Sequence, residues 1–293
     1  LLNNINMQLS FDDKDIETFR QLIEQEFGLT LSTHSKETIV RKIMPRINAL
    51  KLGSLREYLD FMTWHPQART ELYNLPGYIM NTESYFLREY SQLELFIDLL
   101  KKQKKEGARE ESRGLSIISA GCSEGQEPYS IAMLIKRIKD KASTKNIRIY
   151  GIDINVSAIR KAQAGIYSDY SFRSSNTPAI REYFEEAGTE GYYPSAEKFR
   201  IKPEIINSVE FIHANILHPI TFKGLKHIDF IFCRNVLMYM SEKAASKIVF
   251  NFWEALSENG YLFIGQSESL RKHEELFEPE SHQDVVVYKK RRG

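Results

Sequence analysis

The residues most able to do chemistry lie in Leu115-Ser-Ile-Ile-Ser-Ala-Gly-Cys-Ser-Glu-Gly-Gln-Glu-Pro-Tyr-Ser-Ile-Ala-Met133, where an apolar run stops at a glycine-bracketed turn and resumes as a helix with an acidic first turn. Gly121 and Gly125 permit a tight strand-to-helix reversal, and Pro128 suits a first helical turn, where its missing N–H would have no partner. In a dinucleotide enzyme such a helix start holds pyrophosphate. Here Glu124 and Glu127 repel one, and no Gly-Lys-Ser/Thr follows to build a phosphate loop. Asp153 ends a second apolar run, Ile147-Arg-Ile-Tyr-Gly-Ile-Asp153, at a place where an acid usually binds ribose hydroxyls.

A ligand with a ribose and positive charge but no phosphate satisfies both features. S-adenosylmethionine combines ribose, adenine, ammonium and sulfonium, and it is the expected cofactor. The competing reading is that Gly121 and Gly125 only turn the chain while the carboxylates cap a helix.

These residues need a sheet to carry them. Beyond Gly114, apolar and β-branched runs alternate with helical ones: Leu115–Ala120, Ile131–Ile138, Ile147–Ile152, Val156–Ala164, Val209–Ala214, His227–Cys233, Ala244–Leu256, Gly260–Gly265 and Asp284–Lys289. That alternation specifies an α/β fold. From Asp12 to about Leu100 the pattern is helical, with Phe19, Leu22, Ile23 and Phe27 at three-to-four-residue spacing and similar stripes through Ile39–Leu52 and Leu55–Met62. Pro45 is expected to interrupt or kink the second of these helices. The expected organisation is a helical domain over 1–100, a charged linker to 113, and an α/β domain over 114–293. Within the irregular stretch Tyr167–Asn207, a small β unit is expected at about 180–206, formed by Tyr183–Tyr193 and Lys198–Pro203 around a glycine turn.

Composition removes several function classes. The 293 residues carry 40 Lys and Arg against 39 Asp and Glu, so no global field draws the protein to nucleic acid. No apolar run approaches a membrane span and the first residues lack a signal-peptide pattern, which gives the expectation of a cytoplasmic protein without membrane insertion. Cys122 and Cys233 are too few for a disulfide framework and read as packing residues rather than nucleophiles. The seven histidines show no ligand spacing with Cys or acid, so no metal site is expected.

Five separated motifs then carry a resemblance: Asn81-Thr-Glu-Ser-Tyr-Phe-Leu-Arg-Glu89, Ser119-Ala-Gly-Cys-Ser-Glu-Gly-Gln-Glu-Pro-Tyr-Ser130, Gly151-Ile-Asp-Ile154, Phe230-Ile-Phe-Cys-Arg-Asn-Val-Leu-Met-Tyr239 and Gly260-Tyr-Leu-Phe-Ile-Gly-Gln-Ser-Glu-Ser269. In this order they resemble the chemotaxis-receptor glutamate methyltransferases, the CheR family, over nearly the whole chain. The resemblance implies a Rossmann-like S-adenosylmethionine-dependent methyltransferase sheet with an N-terminal all-helical domain and a small β insertion. It implies methyl-ester formation on glutamate side chains of chemoreceptors, with S-adenosylhomocysteine as the other product.

Carried over by position, the resemblance implies that Thr82, Ser84 and Arg88 reach the active cleft. It places Glu127 on the methionine ammonium and Asp153 on the ribose, beside the Gly121 turn. Asn215 and Ile216 would border adenine, with Arg234 and Asn235 next to the cofactor. Arg88 and Tyr239 would be catalytic, on the acceptor side. Other readings stand beside these: Asn215 also suits a turn, Arg234 an ion pair, and Tyr239 a core position.

The family's acceptor is an acidic receptor helix in the cytoplasm, so a basic helix bearing Arg41, Lys42 and Arg46 is the expected docking face. A solvated amphipathic face explains the same charges. Family members often show Asn-Glu-Thr and Gly-Glu-Glu-Pro where this chain has Thr82-Glu83-Ser84 and Gly125-Gln126-Glu127-Pro128. Receptor-tethered members use a glycine-rich hairpin for a receptor-tail pentapeptide, but here Gly188 and Gly191 precede Tyr192-Tyr193-Pro194, so such a tether is not expected. Two alternatives remain: a related methyltransferase, or a cofactor-binding signalling module, acting on a different protein acceptor.

Overall fold

The computed structural model describes residues 11–80, 83–105, 114–138, 146–187 and 198–292. The chain divides into two compact units, one comprising residues up to Asn81 together with Tyr239–Ala244, the other Thr82–Met238 with Ala245–Gly293.

The first unit is helical. Helix α1 (Asp13–Phe27) starts at Asp12, whose carboxylate accepts from Lys14 N–H, and ends at Gly28 in the left-handed region (φ 75°). It buries Ile16, Phe19, Ile23 and Phe27, a stripe at helical spacing. Helix α2 (Lys36–Ala49) is capped by Ser35 and buries Ile39, Ile43 and Ile47. Of the two outcomes expected at Pro45, interruption does not occur: the helix runs through it. Helix α3 (Leu55–Trp64) is capped by Ser54, while Glu57 reaches back to Gly53 N–H. Short helices α4 (Ala68–Asn74) and α5 (Pro76–Ile79) follow. The segment Tyr239–Ala244 joins this unit through the Leu29 and Met240 bridge, Thr30 N–H to the Tyr239 carbonyl (2.8 Å) and Ser241 N–H to the Gly28 carbonyl (2.9 Å).

The second unit holds a seven-stranded sheet. In chain order its elements are α6 (Tyr90–Lys105), β1 (Leu115–Ala120), α7 (Gln126–Lys136), β2 (Ile147–Asp153), α8 (Val156–Ala164), β3 (Ile166–Ser168), β4 (Phe184–Glu186), β5 (Lys198–Ile201), α9 (Pro203–Ile206), β6 (Val209–His213), β7 (Ile228–Cys233), α10 (Glu242–Ala255), β8 (Leu256–Ile264), β9 (Phe277–His282) and β10 (Val285–Lys290). The large sheet runs β6-β2-β1-β7-β8-β10-β9, parallel from β6 to β8 and closed by the antiparallel β10 and β9. Strands β1 and β7 are buried along their whole length, as central parallel strands must be.

Helix α6 corrects the expected domain boundary near residue 100. Its Phe96 meets Phe230 and Phe232 of β7 edge-on, with centroids 5.0 and 5.4 Å away, so the helix belongs to the sheet unit and the division falls at 81/82. The small β unit also differs from expectation. It is a three-stranded antiparallel sheet, β3-β5-β4, whose first strand Ile166–Ser168 precedes the expected range. Gly188, Gly191, Tyr192, Tyr193 and Pro194 lie outside the described residues, as does the linker over 106–113.

Candidate functional site

In the large sheet, chain order reverses between β1 and β7, which lie side by side and parallel. The loops leaving β1, β2 and β7 therefore emerge at one end of the sheet, where an open α/β fold places its ligand. Gly121 adopts φ 73°, and a Cβ there would come within 2.5 Å of a Val236 methyl, so the glycine lets the post-β1 and post-β7 loops pack together.

Asp153 is buried at this end and Glu127 is half-buried beside it. Ser119 Oγ donates to Glu127 Oε1 (2.7 Å), while Asp153 accepts Ser123 N–H (2.8 Å) and Asn155 N–H (2.8 Å), one on each oxygen. Burial pushes both carboxyls above the ordinary carboxylate range. For Glu127 it is opposed chiefly by Arg234 and Ser119, and for Asp153 by its backbone donors. The Cys122 thiol is pushed well up by burial and then by Asp153 and Glu127, and Cys233 by burial first, so neither is a ready thiolate.

A raised carboxyl implies a specific acid response. A cation binds the ionised forms, so affinity for a cationic ligand should fall as pH drops through the raised pKa values of these two carboxyls. The sign is opposite for the unliganded fold: a carboxyl raised by burial stabilises it most below the unfolded pKa, and that contribution is lost as pH rises through the folded pKa. Glu127→Gln should flatten both trends and weaken S-adenosylhomocysteine by about 1.5–3 kcal/mol, read by calorimetry across the weakly acidic range. Unchanged affinity would return Glu127 to a helix-capping role.

Arg234 is buried, its side chain only 2% exposed, and it lies between two carboxylates. Its Nη1 is 3.4 Å from Glu127 Oε2 and its Nε 3.5 Å from Glu89 Oε2, while Nη2 donates to the Arg88 carbonyl. The 84–89 segment is held by further bonds: Phe86 N–H to the Ser171 carbonyl (2.9 Å), and Leu87 N–H to Ser130 Oγ (3.0 Å). Leu87 and Glu89 both take positive φ (57° and 49°), which the surrounding bonds impose on non-glycine residues. Arg88 carries its guanidinium 5.7 Å from the Tyr85 ring centroid and 3.5 Å from the Glu83 carbonyl, and the Ser84 carbonyl accepts from Arg173 (3.3 Å).

Asn235 also takes positive φ (58°), with Nδ2 3.3 Å from Glu89 Oε1 and no hydrogen-bond partner for its buried Oδ1 among the described residues. Glu268 fixes this loop by accepting N–H groups of Asn235 (2.9 Å), Met238 (3.0 Å) and Gly265 (2.7 Å).

Glu127, Asp153, Arg88, Arg234, Asn235 and Gly121 thus all belong to the sheet unit, with Glu127 in the first turn of α7 and Asp153 at the end of β2. Asn215 makes a turn, its Oδ1 accepting Leu217 N–H (2.9 Å), and Ile216 is buried with its carbonyl bonded by Asn251 (3.1 Å). Thr82 lies outside the described residues. Tyr239 ends a short 3₁₀ turn, Leu237–Tyr239, is exposed rather than in a core position, and counts with the helical unit.

The three basic residues of α2 are unequally engaged. Arg46 makes a bidentate pair with buried Glu71, with Nη2 to Oε2 at 2.7 Å and Nε to Oε1 at 2.8 Å, and Tyr58 OH donates to the same carboxylate (2.7 Å). Lys42 Nζ donates to the Ile79 carbonyl (2.6 Å), and Arg41 alone of the three is exposed.

Sequence reasoning assigned no role to Glu89, Glu268, Ser119 or Ser130. The available signal was an acid inside each of two short motifs, Leu-Arg-Glu89 and Gln-Ser-Glu268, without a stated task. Among the described residues no His, Cys, Asp and Glu group could hold a metal, and no helix is long and apolar enough to cross a membrane.

A family model described as CheR methyltransferase, SAM binding domain, matches residues 82–286, and one described as CheR methyltransferase, all-alpha domain, matches 14–75. Among similar proteins, the chemotaxis protein methyltransferase of Borreliella burgdorferi is 27% identical over 278 residues, covering 94% of each chain. That of Vibrio parahaemolyticus is 29% identical over 285 residues, covering 96% of this chain and 98% of its own. That of Escherichia coli is 27% identical, covering 94% and 92%.

Proposed function

The chain belongs to the CheR methyltransferase family, and from that premise we propose that it methyl-esterifies glutamate side chains in the acidic helical cytoplasmic region of chemoreceptors. S-adenosylmethionine supplies an electrophilic methyl group on a sulfonium. The observation that carries the reading is the pair of carboxylates, buried Asp153 and half-buried Glu127, at the end of the sheet where order reverses, with no cationic phosphate cradle beside them among the described residues. Their chemistry fits this donor: Glu127 holds the ammonium and Asp153 the ribose hydroxyls. The orphaned Asn235 Oδ1 offers one more acceptor, and Asn215 with Ile216 borders the adenine.

The acceptor glutamate needs no general base, because a carboxylate with a reference pKa near ~4.3 is already ionised at neutral pH. The protein's work is positioning and exclusion of water. Arg88 orients the acceptor carboxylate by charge-assisted hydrogen bonds, and Tyr239 fixes its second oxygen. Too tight a pairing at Arg88 would blunt the nucleophile, so geometry matters as much as attraction.

Arg41 leads receptor docking on α2. The receptor-tail tether is dispensable in this reading, because Gly188 and Gly191 are followed by the bulky Tyr192-Tyr193-Pro194 where tethered members have a glycine-rich hairpin. The deciding experiment incubates the protein with labelled S-adenosylmethionine and receptor cytoplasmic fragments, with and without their C-terminal tails, and maps methyl esters by mass spectrometry. Base-labile glutamate esters on both forms are expected. Label on another protein class, or none, would sink the assignment, and a strong tail requirement would reverse the reading of the insertion.

A further inference from the structure

The Arg234 guanidinium raises a charge problem. It lies 3.4 Å from Glu127, the residue proposed above to hold a ligand ammonium, and a buried arginine that fully neutralised Glu127 would leave nothing there to attract a cation. The geometry gives Arg234 a second carboxylate. Glu89 Oε2 lies 3.5 Å from Arg234 Nε, and Glu89 Oε1 accepts from Asn235 Nδ2 at 3.3 Å, so Glu89 engages two consecutive residues of the post-β7 loop. Arg234 Nη2 is taken by the Arg88 carbonyl. One buried guanidinium therefore faces two half-buried carboxylates, which leaves about one negative charge uncompensated.

Arg88 does not cancel this surplus. Its guanidinium is engaged at the Tyr85 ring and the Glu83 carbonyl, and among the influences on Glu127 it ranks last. Ser119, bonded to the other Glu127 oxygen, is neutral. Among the described residues no further cation is placed against Glu127 or Glu89, and Glu89 carries a left-handed backbone (φ 49°).

Resting on the assignment of Glu127 to the ammonium, we infer that Glu89 is a positioning residue: by engaging Arg234 and Asn235 it leaves the Glu127–Arg234–Glu89 cluster net negative, so that the amino group of the cofactor's methionine moiety completes its charge. Glu89 touches no reacting atom in this scheme. It sets which part of the ligand the subsite reads, making the pocket selective for a nucleoside bearing an ammonium over one lacking it.

The test compares two probes by calorimetry on the full chain: S-adenosylhomocysteine, and 5′-methylthioadenosine, which shares the nucleoside and thioether but lacks the amino acid. Glu89→Gln keeps an acceptor for Asn235 while removing the charge. It should weaken S-adenosylhomocysteine about tenfold, the equivalent of roughly one pKa unit of interaction, and leave methylthioadenosine within about twofold. Glu89→Asp, which retains the charge, should keep most of the preference and serves if the glutamine variant does not fold. Equal loss of both probes would mark Glu89 as merely structural. No loss of either, or an aspartate variant as unselective as glutamine, would likewise overturn the inference. Glu127→Gln run in parallel separates the two levels. If it too spares S-adenosylhomocysteine, the ammonium assignment falls and the inference with it, whereas a selective loss in Glu127→Gln alone defeats only the role of Glu89.

Discussion

Replacing Arg88 with alanine should lower methyl transfer by at least about two orders of magnitude, the scale on which a misplaced reactant costs rate, while cofactor affinity changes by only a few-fold. The asymmetry follows from how Arg88 is held. Its backbone is fixed from three sides, by the Ser171 carbonyl through Phe86, by Ser130 through Leu87 and by Arg234 on its own carbonyl. None of these bonds involves the side chain, whose own contacts are a long 3.5 Å approach to the Glu83 carbonyl and the Tyr85 ring. Truncation therefore spares the segment's conformation and removes only the charged arm proposed to meet the acceptor. Thermal unfolding should be near parental while transfer of labelled methyl to a receptor fragment collapses. Turnover within a few-fold of the parent would show that the acceptor carboxylate is oriented elsewhere.

The second large effect is on stability. Arg46→Ala should destabilise the helical unit by about 3–5 kcal/mol, because it strands Glu71, a buried carboxylate that also accepts from Tyr58. The Arg46 guanidinium is held further toward its charged form by the Glu71 hydrogen bonds, and Tyr58 is pushed up by burial and by the same carboxylate. Replacing Arg46 and Glu71 together by apolar residues of similar volume should recover most of the loss, since a buried pair often gives little net advantage over good packing. Denaturant unfolding of the full chain, followed on its first transition, measures both. A loss below about 1 kcal/mol for Arg46→Ala, combined with weakened receptor association, would restore Arg46 to a docking role.

Much of the site could be read directly because its signals are local. Gly121, Gly125 and the acid at the end of β2 announce themselves through backbone demands and hydrophobic period within a few residues. What escaped reading depends on distance along the chain. Glu89 acquires its meaning only when β7 brings Arg234 and Asn235 beside it, and Glu268 only when its carboxylate meets three separate N–H groups. Arg46 looked like a surface cation because a helix face does not reveal that a neighbouring helix supplies Glu71.

The boundary near residue 100 slipped for a related reason. An amphipathic helix such as α6 carries the same stripe whichever core it joins. Strand β9, Phe277-Glu-Pro-Glu-Ser-His282, was not anticipated because it is mostly polar and contains Pro279, a residue tolerated only where a strand lacks a neighbour on one side. The first strand of the small sheet is only three residues long and shows no period at all.

The helical unit is not finished when its last helix has been made. Leu29, Thr30 and Gly28 take their backbone partners from Met240, Tyr239 and Ser241, which the ribosome delivers only after nearly all of the sheet's parallel strands. Synthesis therefore imposes an order: the N-terminal helices emerge first but must wait, with part of their hydrogen bonding unmet, until the segment following β7 arrives. The same threading sets the rules for exchange between relatives. A chimaera cut at 81/82 would separate the helices from the strand of chain that completes them, so a transplantable module must carry residues 239–244 along with it.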